Sequence, residues 1–295
     1  METRIVQYKN HINELQFINF TSADYNLLMY LMSEMRDKDE DIITVSLSDV
    51  KRIIGYERST EEFTEVIEQI KDKLASIRAK VRNGSVRGDF TLFPTLLSDI
   101  DNDALVIRVN PDFKWLINDF KSKKQFVLVN DTKPKPKNVD QKEDEEKDEG
   151  YTFFELVEFV GLKSKYSKTL FRLLKQYKDT GWLDIKIEEL RRLLDCPPSY
   201  GAKHITDKII MPSIEELQKD FEELGFTPIR AEHKRGRPVT RYKFTFKADR
   251  QDQGQGQDQG QEQTKKKRGR PRKNQFDNFA QRDYNYDELE KILLS

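Results

Sequence analysis

Arg-Gly-Arg-Pro occurs twice in this 295-residue chain, at 235–238 and at 268–271, and in each place other cations surround it. The chemistry of such a stretch is polyanion binding. Guanidinium groups take phosphate in bidentate fashion or enter a groove of high negative potential. Arg268, Gly269, Arg270 and Pro271 match the core of an AT-hook. The two arginines would lie extended in an A·T-rich minor groove, glycine would avoid a clash on its floor, and proline would keep the strand extended. A basic tail that only raises non-specific affinity is the plainer alternative. At 235–238 the motif lies between Ile229-Arg-Ala-Glu-His233 and Val239-Thr-Arg-Tyr-Lys-Phe-Thr-Phe246, which alternate like half-buried strands. A hairpin tip is therefore expected there, presenting Lys234, Arg235, Arg237 and Arg241.

The segment before this hairpin must position it. Ile210, Ile214, Leu217, Phe221 and Leu224 recur at spacings of four, three, four and three, which predicts one long helix ending at Gly225. Pro212 should kink that helix or split it. Lys203, His204 and Lys208 lie off the apolar face and are candidate contacts to base edges or phosphates. For any one of them, ordinary solvated charge is an equal reading. A helix followed by a hairpin with a cationic tip suits a major groove and the phosphates or minor groove beside it.

Charge in the chain is segregated rather than in excess. Lysine plus arginine equals aspartate plus glutamate, 52 each, so net charge argues neither for nor against nucleic acid. Residues 229–250 carry eight Lys/Arg against two acids, 265–273 carry seven against none, and 140–149 carry seven acids against two lysines. Phosphates respond to such local potential over about one Debye length, roughly 8–10 Å. Cys196 is the only cysteine, which leaves no disulfide framework and no thiolate metal site. His11, His204 and His233 are not spaced as a metal pair, and no Gly-x-x-x-x-Gly-Lys-Ser/Thr loop is present. Neither an enzyme nor a cofactor is expected. No apolar run reaches the length of a membrane span, and the first residues lack an apolar signal core, so a cytoplasmic location is expected.

The remaining elements predict an α+β chain with two tandem winged-helix domains followed by a disordered basic tail. In residues 1–130, Thr21 to Asp24 reads as a helix start, Ile42–Val45 as a strand, and Ser46 as the cap of a helix stopping at Gly55. Ser59 and Glu62 open a helix with Phe63, Val66, Ile67, Ile70, Leu74 and Ile77 inward. Strands are expected near 78–82, 86–97 and 104–109, with a hairpin turn at Asn83-Gly84 and a helix from Pro111 to about Phe120. Arg78, Lys80, Arg82 and Arg87 form a weaker cationic strip, while Glu61 and Glu62 make the presumed recognition helix a poor phosphate binder. Residues 131–150 read as an acidic linker. In residues 151–250, helices are expected near 151–160, from Ser167, and over 187–194, with a strand at Trp182–Ile185. Residues 251–273 combine a Gln-rich linker with the hook. The final stretch, 274–295, offers Phe276, Phe279, Tyr284, Tyr286, Leu289 and Leu293 as aromatic anchors and a helix face for a partner groove. Packing back on its own domain is the alternative there.

Ser164-Lys-Tyr-Ser-Lys-Thr-Leu-Phe-Arg-Leu-Leu-Lys175, Leu190-Arg-Arg-Leu-Leu194, Ile210-Met-Pro-Ser-Ile-Glu-Glu-Leu217 and Arg235-Gly-Arg-Pro-Val-Thr-Arg-Tyr-Lys-Phe-Thr-Phe246 resemble, in this order, motifs of the plasmid replication initiators built from two tandem winged helices. The resemblance covers roughly residues 10–247. It implies binding to direct repeats at a theta-type origin, opening of that origin, recruitment of host helicase machinery or its loader, and self-association into dimers that repress their own gene. The first domain would then serve dimerisation and secondary contact with double-stranded DNA. The chain departs from the family pattern in its acidic linker and long basic tail. Its last residues resemble short C-terminal peptides of some bacterial and phage replication proteins. A dimeric transcriptional regulator with the same modules is the alternative function.

Overall fold

A computed structural model describes residues 3–36, 38, 42–57, 60–83, 86–117, 127–128, 150–232 and 236–249; at 60–61, 79–83, 86–87 and 127–128 it describes the backbone alone. The chain runs through β1 (Ile5–Lys9), a 3-10 turn (Asn10–Glu14), α1 (Ser22–Met35), β2 (Ile42–Ser46), α2 (Leu47–Ile54) and α3 (Thr60–Ala75). The first unit continues through β3 (Arg78–Asn83), β4 (Val86–Thr91), β5 (Thr95–Asp99), β6 (Ala104–Arg108), a 3-10 turn (Pro111–Phe113), α4 (Lys114–Ile117) and β7 (Val127–Leu128). The second unit comprises β8 (Tyr151–Glu155), α5 (Leu156–Val160), α6 (Lys165–Gln176), β9 (Trp182–Lys186) and α7 (Ile187–Leu193). It ends in α8 (Ala202–Ile205), a π-helical turn (Thr206–Ile210), α9 (Met211–Leu217), β10 (Gly225–Arg230) and β11 (Val239–Thr245).

Each unit sets helices against a small antiparallel sheet, ordered β2-β6-β5 in the first and β10-β11-β9 in the second. Local chemistry explains many of the boundaries. Thr21 and Asp24 form a reciprocal capping box on α1, and the Asp24 carboxylate also receives Lys73 Nζ at 2.7 Å, which ties α3 to α1. Ser46 caps α2, and Gly55 closes it in the left-handed region at φ 68°, a conformation open to glycine without strain.

The structure departs from the sequence reading where long-range pairing decides. Residues 151–155 are a strand rather than helix: Thr152 and Phe154 are buried while Tyr151 is exposed, and β8 pairs with β1 from Ile5↔Glu155 to Lys9↔Tyr151. The strand expected over 86–97 breaks at buried Leu92 and Phe93 before Pro94, so that β4 and β5 belong to different sheets. Ser164, not Ser167, caps α6; Ser167 is buried within the helix. The long helix ends at Leu217 rather than at Gly225, which opens β10, and the left-handed residue between them is Glu223 at φ 59°.

Between the units lies a buried polar knot centred on Asn13. Its carbonyl oxygen accepts from Tyr8 Oη at 3.0 Å and from the Arg172 guanidinium at 3.2 Å. Its amide donates to Thr152 Oγ1 at 2.8 Å and Gln176 Oε1 at 3.1 Å. Arg172 is 1% exposed, and its guanidinium lies 4.7 Å from the Phe17 ring centre and 5.5 Å from that of Tyr25. Burial pushes the Tyr8 hydroxyl up to about 12, keeping it a donor. Lys168, fully buried on α6, donates to the Phe159 carbonyl at 2.6 Å and sits over that residue's ring. Its burial pushes the ammonium down from 10.5 to about 7.

Two outcomes follow from these buried groups. Asn13→Ala leaves a buried guanidinium and a buried hydroxyl without their acceptor, so stability should fall by about 3 kcal/mol; a urea midpoint that barely moves would refute this. Lys168 binds its proton more weakly folded than unfolded, so its contribution to stability is greatest above 10.5 and is lost as pH falls through about 7. Stability should therefore rise from about pH 7 to 8.5 on its account, and Lys168→Met should flatten that slope. Parallel slopes in denaturant titrations of the two proteins would count against it.

Candidate nucleic-acid interface

The end of the second unit assembles a helix and a wing on one side. From Ala202 to Leu217 the chain is one continuous helix with a π turn in its middle, where Met211 N–H reaches back to the Thr206 carbonyl. The proline accounts for this local form. Pro212 has no N–H, and its ring would strike the carbonyl four residues earlier in a regular helix. The wider turn relieves that clash, so the expected kink is absorbed as a π turn and the helix is not split.

The helix buries Ile205, Ile209, Ile210, Ser213, Ile214 and Leu217 and exposes Lys203, His204, Asp207, Lys208, Met211, Pro212 and Glu215. The three expected site residues thus share the outward face. Tyr200 braces them, with its ring 5.6 Å from that of His204 and 5.4 Å from Lys208 Nζ. Arg191 holds this shelf by donating to the carbonyls of Pro198 and Tyr200. Thr206 Oγ1 lies 2.9 Å from Tyr242 Oη, and that hydroxyl also donates to the Ala202 carbonyl at 3.1 Å. A buried tyrosine of β11 therefore locks the first turn of the helix to the sheet.

The wing is the β10–β11 hairpin, which carries a bulge between Ile229 and Arg230. At its described end Gly236 and Arg237 both take positive φ, 77° and 42°, and Arg230 clamps the Arg237 carbonyl at 3.2 Å. The Arg237 side chain is exposed at this tip. Lys234 and Arg235 lie outside the described residues. Arg241 is not at the tip: it stands on the outward face of the sheet, where its Nε meets Asp184 at 2.8 Å. Lys186 and Lys243 project on the same face, and Lys243 Nζ lies 5.8 Å from the ring of Trp182, which is 50% exposed.

The first unit presents a different surface. The exposed positions of α3 include Glu62, Glu65, Glu68 and Asp72, which would repel phosphates. Arg78, Lys80 and Arg82 occupy alternate positions of β3, and Arg87 is paired with Arg82 across the hairpin. Arg78 is exposed; the side chains of the other three lie outside the described residues. The tail residues Arg268, Gly269, Arg270, Pro271, Phe276, Phe279, Tyr284, Tyr286, Leu289 and Leu293 also lie outside them. No cluster of groups able to hold a metal occurs among the described residues, and no described helix is long and apolar enough to cross a membrane.

This architecture has relatives. Residues 5–131 match the family described as "Initiator Replication protein, WH1", and residues 186–246 match "Initiator Rep protein, WH2". The chain belongs to the plasmid replication initiators with two winged-helix domains. A "Probable replication protein rep" of Bifidobacterium longum (strain NCC 2705) is 24% identical over 220 residues, 73% of this chain and 65% of that protein, just under two thirds of its length. The crystal structure of Pi initiator protein in complex with iteron DNA has the same fold, with a TM-score of 0.54 at 14% identity, covering 85% of this chain and 100% of that one.

In this initiator several residues of the candidate interface escaped the sequence reading. Lys186 and Lys243 were recoverable from strand alternation, because each shares a face with Arg241 in the β9–β11 register. Tyr200 was not, since its place depends on Arg191 of another helix. Tyr242→Phe should cost about 1 kcal/mol and speed hydrogen exchange in the first turn of the helix, residues 202–206. Unchanged exchange there would show that the hydroxyl does not lock the helix.

Proposed function

We propose that this initiator binds directly repeated sites at an origin of replication, with its second winged helix as the principal reader of double-stranded DNA. The observation that carries this reading is the outward face of the helix, where Lys203, His204 and Lys208 stand clear of the core beside the cationic wing. The helix would enter the major groove, while Arg237, Lys234 and Arg235 would take the phosphates or minor groove alongside. The acidic outward face of α3 favours a secondary role for the first unit, in dimerisation and in contact through the β3–β4 strip. Arg268 to Pro271 would hold an A·T-rich segment where the strands separate, and residues 274–295 would engage host replication proteins such as the helicase or its loader. On this reading the protein acts by binding and carries out no catalysis of its own.

A footprint of the full chain on the DNA flanking its gene tests this directly, at stated salt because affinity is salt-dependent. Several protected direct repeats, in phase with a helical turn of about 10–10.5 base pairs and next to an A·T-rich stretch, are the expected result. A single inverted repeat over a promoter would overturn the initiator reading in favour of a regulator. Lys208→Ala should weaken binding to all sequences alike and reduce the salt slope by about one unit if it meets phosphate.

A further inference from the structure

The outward face of the proposed recognition helix carries an acidic residue that phosphate binding alone does not explain. Asp207 is exposed between His204 and Lys208, next to the two lysines of this face and one turn before Met211. It makes no hydrogen bond or ion pair with any described residue, although Lys203 precedes it by one helical turn and Lys208 is adjacent. The Lys208 ammonium is drawn instead over the Tyr200 ring at 5.4 Å. Nor does Asp207 cap a helix, since the π turn runs on through it into Met211. The carboxylate's charge is felt at the Tyr242 hydroxyl, but it pairs with no described cation, and it opposes the phosphates that its neighbours attract.

Among the groups on the floor of a major groove, a carboxylate can only accept, and the available donors are the amines of cytosine and adenine. Adenine sets its N7 lone pair beside the amine, which repels one carboxylate oxygen and suits an amide side chain better. Cytosine presents the amine with no acceptor of its own. The next outward position, Met211, is 47% exposed and offers an apolar surface of the kind that meets a thymine methyl. From this placement we infer that Asp207 is a specificity-determining residue that reads the N4 amine of a cytosine in each repeat. The inference rests on the proposed reading of this helix as the major-groove element.

The test measures the full chain against its repeat and against all single base substitutions of that repeat, by competition at fixed salt, for the parent protein, Asp207→Asn and Asp207→Ala. The parent should prefer cytosine at one position of the repeat by roughly 5- to 150-fold. Asp207→Asn should move the preference at that position to adenine, because an amide pairs with N6 and N7 together. Asp207→Ala should flatten it and leave other positions as they were. If Asp207→Ala tightens binding to every sequence alike and the base preferences stay unchanged, the carboxylate is only a repulsive charge and the inference is wrong. A parent protein with no base preference at any position would overturn the major-groove reading itself, and this inference with it. The two failures are therefore distinguishable.

Discussion

The constraint on which the rest of the structure depends is the closure of the first unit onto the second through β1 and β8. Five residue pairs join a strand at the start of the first unit to the strand that opens the second. Behind this ladder Asn13 connects Tyr8 with Thr152, Arg172 and Gln176. Further bonds extend the seam: Asn19 N–H to Asp195 at 2.9 Å, Arg192 to the Glu14 carbonyl at 2.8 Å, and Leu156 N–H to the Arg4 carbonyl at 2.9 Å. Directional bonds of this kind specify one arrangement, whereas apolar contact alone tolerates sliding. The buried guanidinium raises the stakes, because it is favourable only while its acceptor and the Phe17 and Tyr25 rings remain in place.

The two units then divide their electrostatics within one body. α3 and the helix over 202–217 occupy corresponding places in the two frames, yet the first shows Glu62, Glu65, Glu68 and Asp72 to solvent, while the second sets Lys203 and Lys208 beside Asp207 and Glu215. A chain with equal numbers of acids and bases can thus be less negative at one unit's outer helix than at the other's. The Asp184–Arg241 pair illustrates the opposite tendency. There a cation that counts toward the basic wing is partly answered by a neighbouring strand, so its contribution to an external field is smaller than the sequence implies.

Legibility followed the range of the interaction. The Thr21–Asp24 box, the Ser46 cap and the Gly55 terminus depend on residues within a turn of one another, and the sequence reading located all three. β8 depends on a partner in the other unit, and Tyr151-Thr-Phe-Phe-Glu155 runs straight into a helix, so periodicity could not separate the two. The same holds for the helix end at Leu217. Phe221 and Leu224 are buried at helical spacing, yet they pack from a turn, with Phe221 set against the Phe171 and Phe246 rings. At the interface, Lys203, His204 and Lys208 could be placed by exclusion from an apolar face. Tyr200 and Arg191, which organise them, owe their roles to a fold that brings α7 to the loop before α8.

The π turn joins these threads. A proline inside the helix over 202–217 is costly unless the preceding turn widens, and the widening occurs just after the Tyr242 hydroxyl has anchored the helix through Ala202 and Thr206. The anchor comes from β11, the strand that also forms the wing. Helix and wing are thus held by one side chain whose ring is packed in the core and whose oxygen is shared by two helical groups. Any displacement of the wing must move Tyr242, and with it the first turn that carries Lys203 and His204. Under the proposed function, groove reading and phosphate contact are therefore coupled through the second unit's own core. The β1–β8 seam extends that coupling to the first unit, so the separation of the two units on DNA would be set by packing rather than by the length of chain between them.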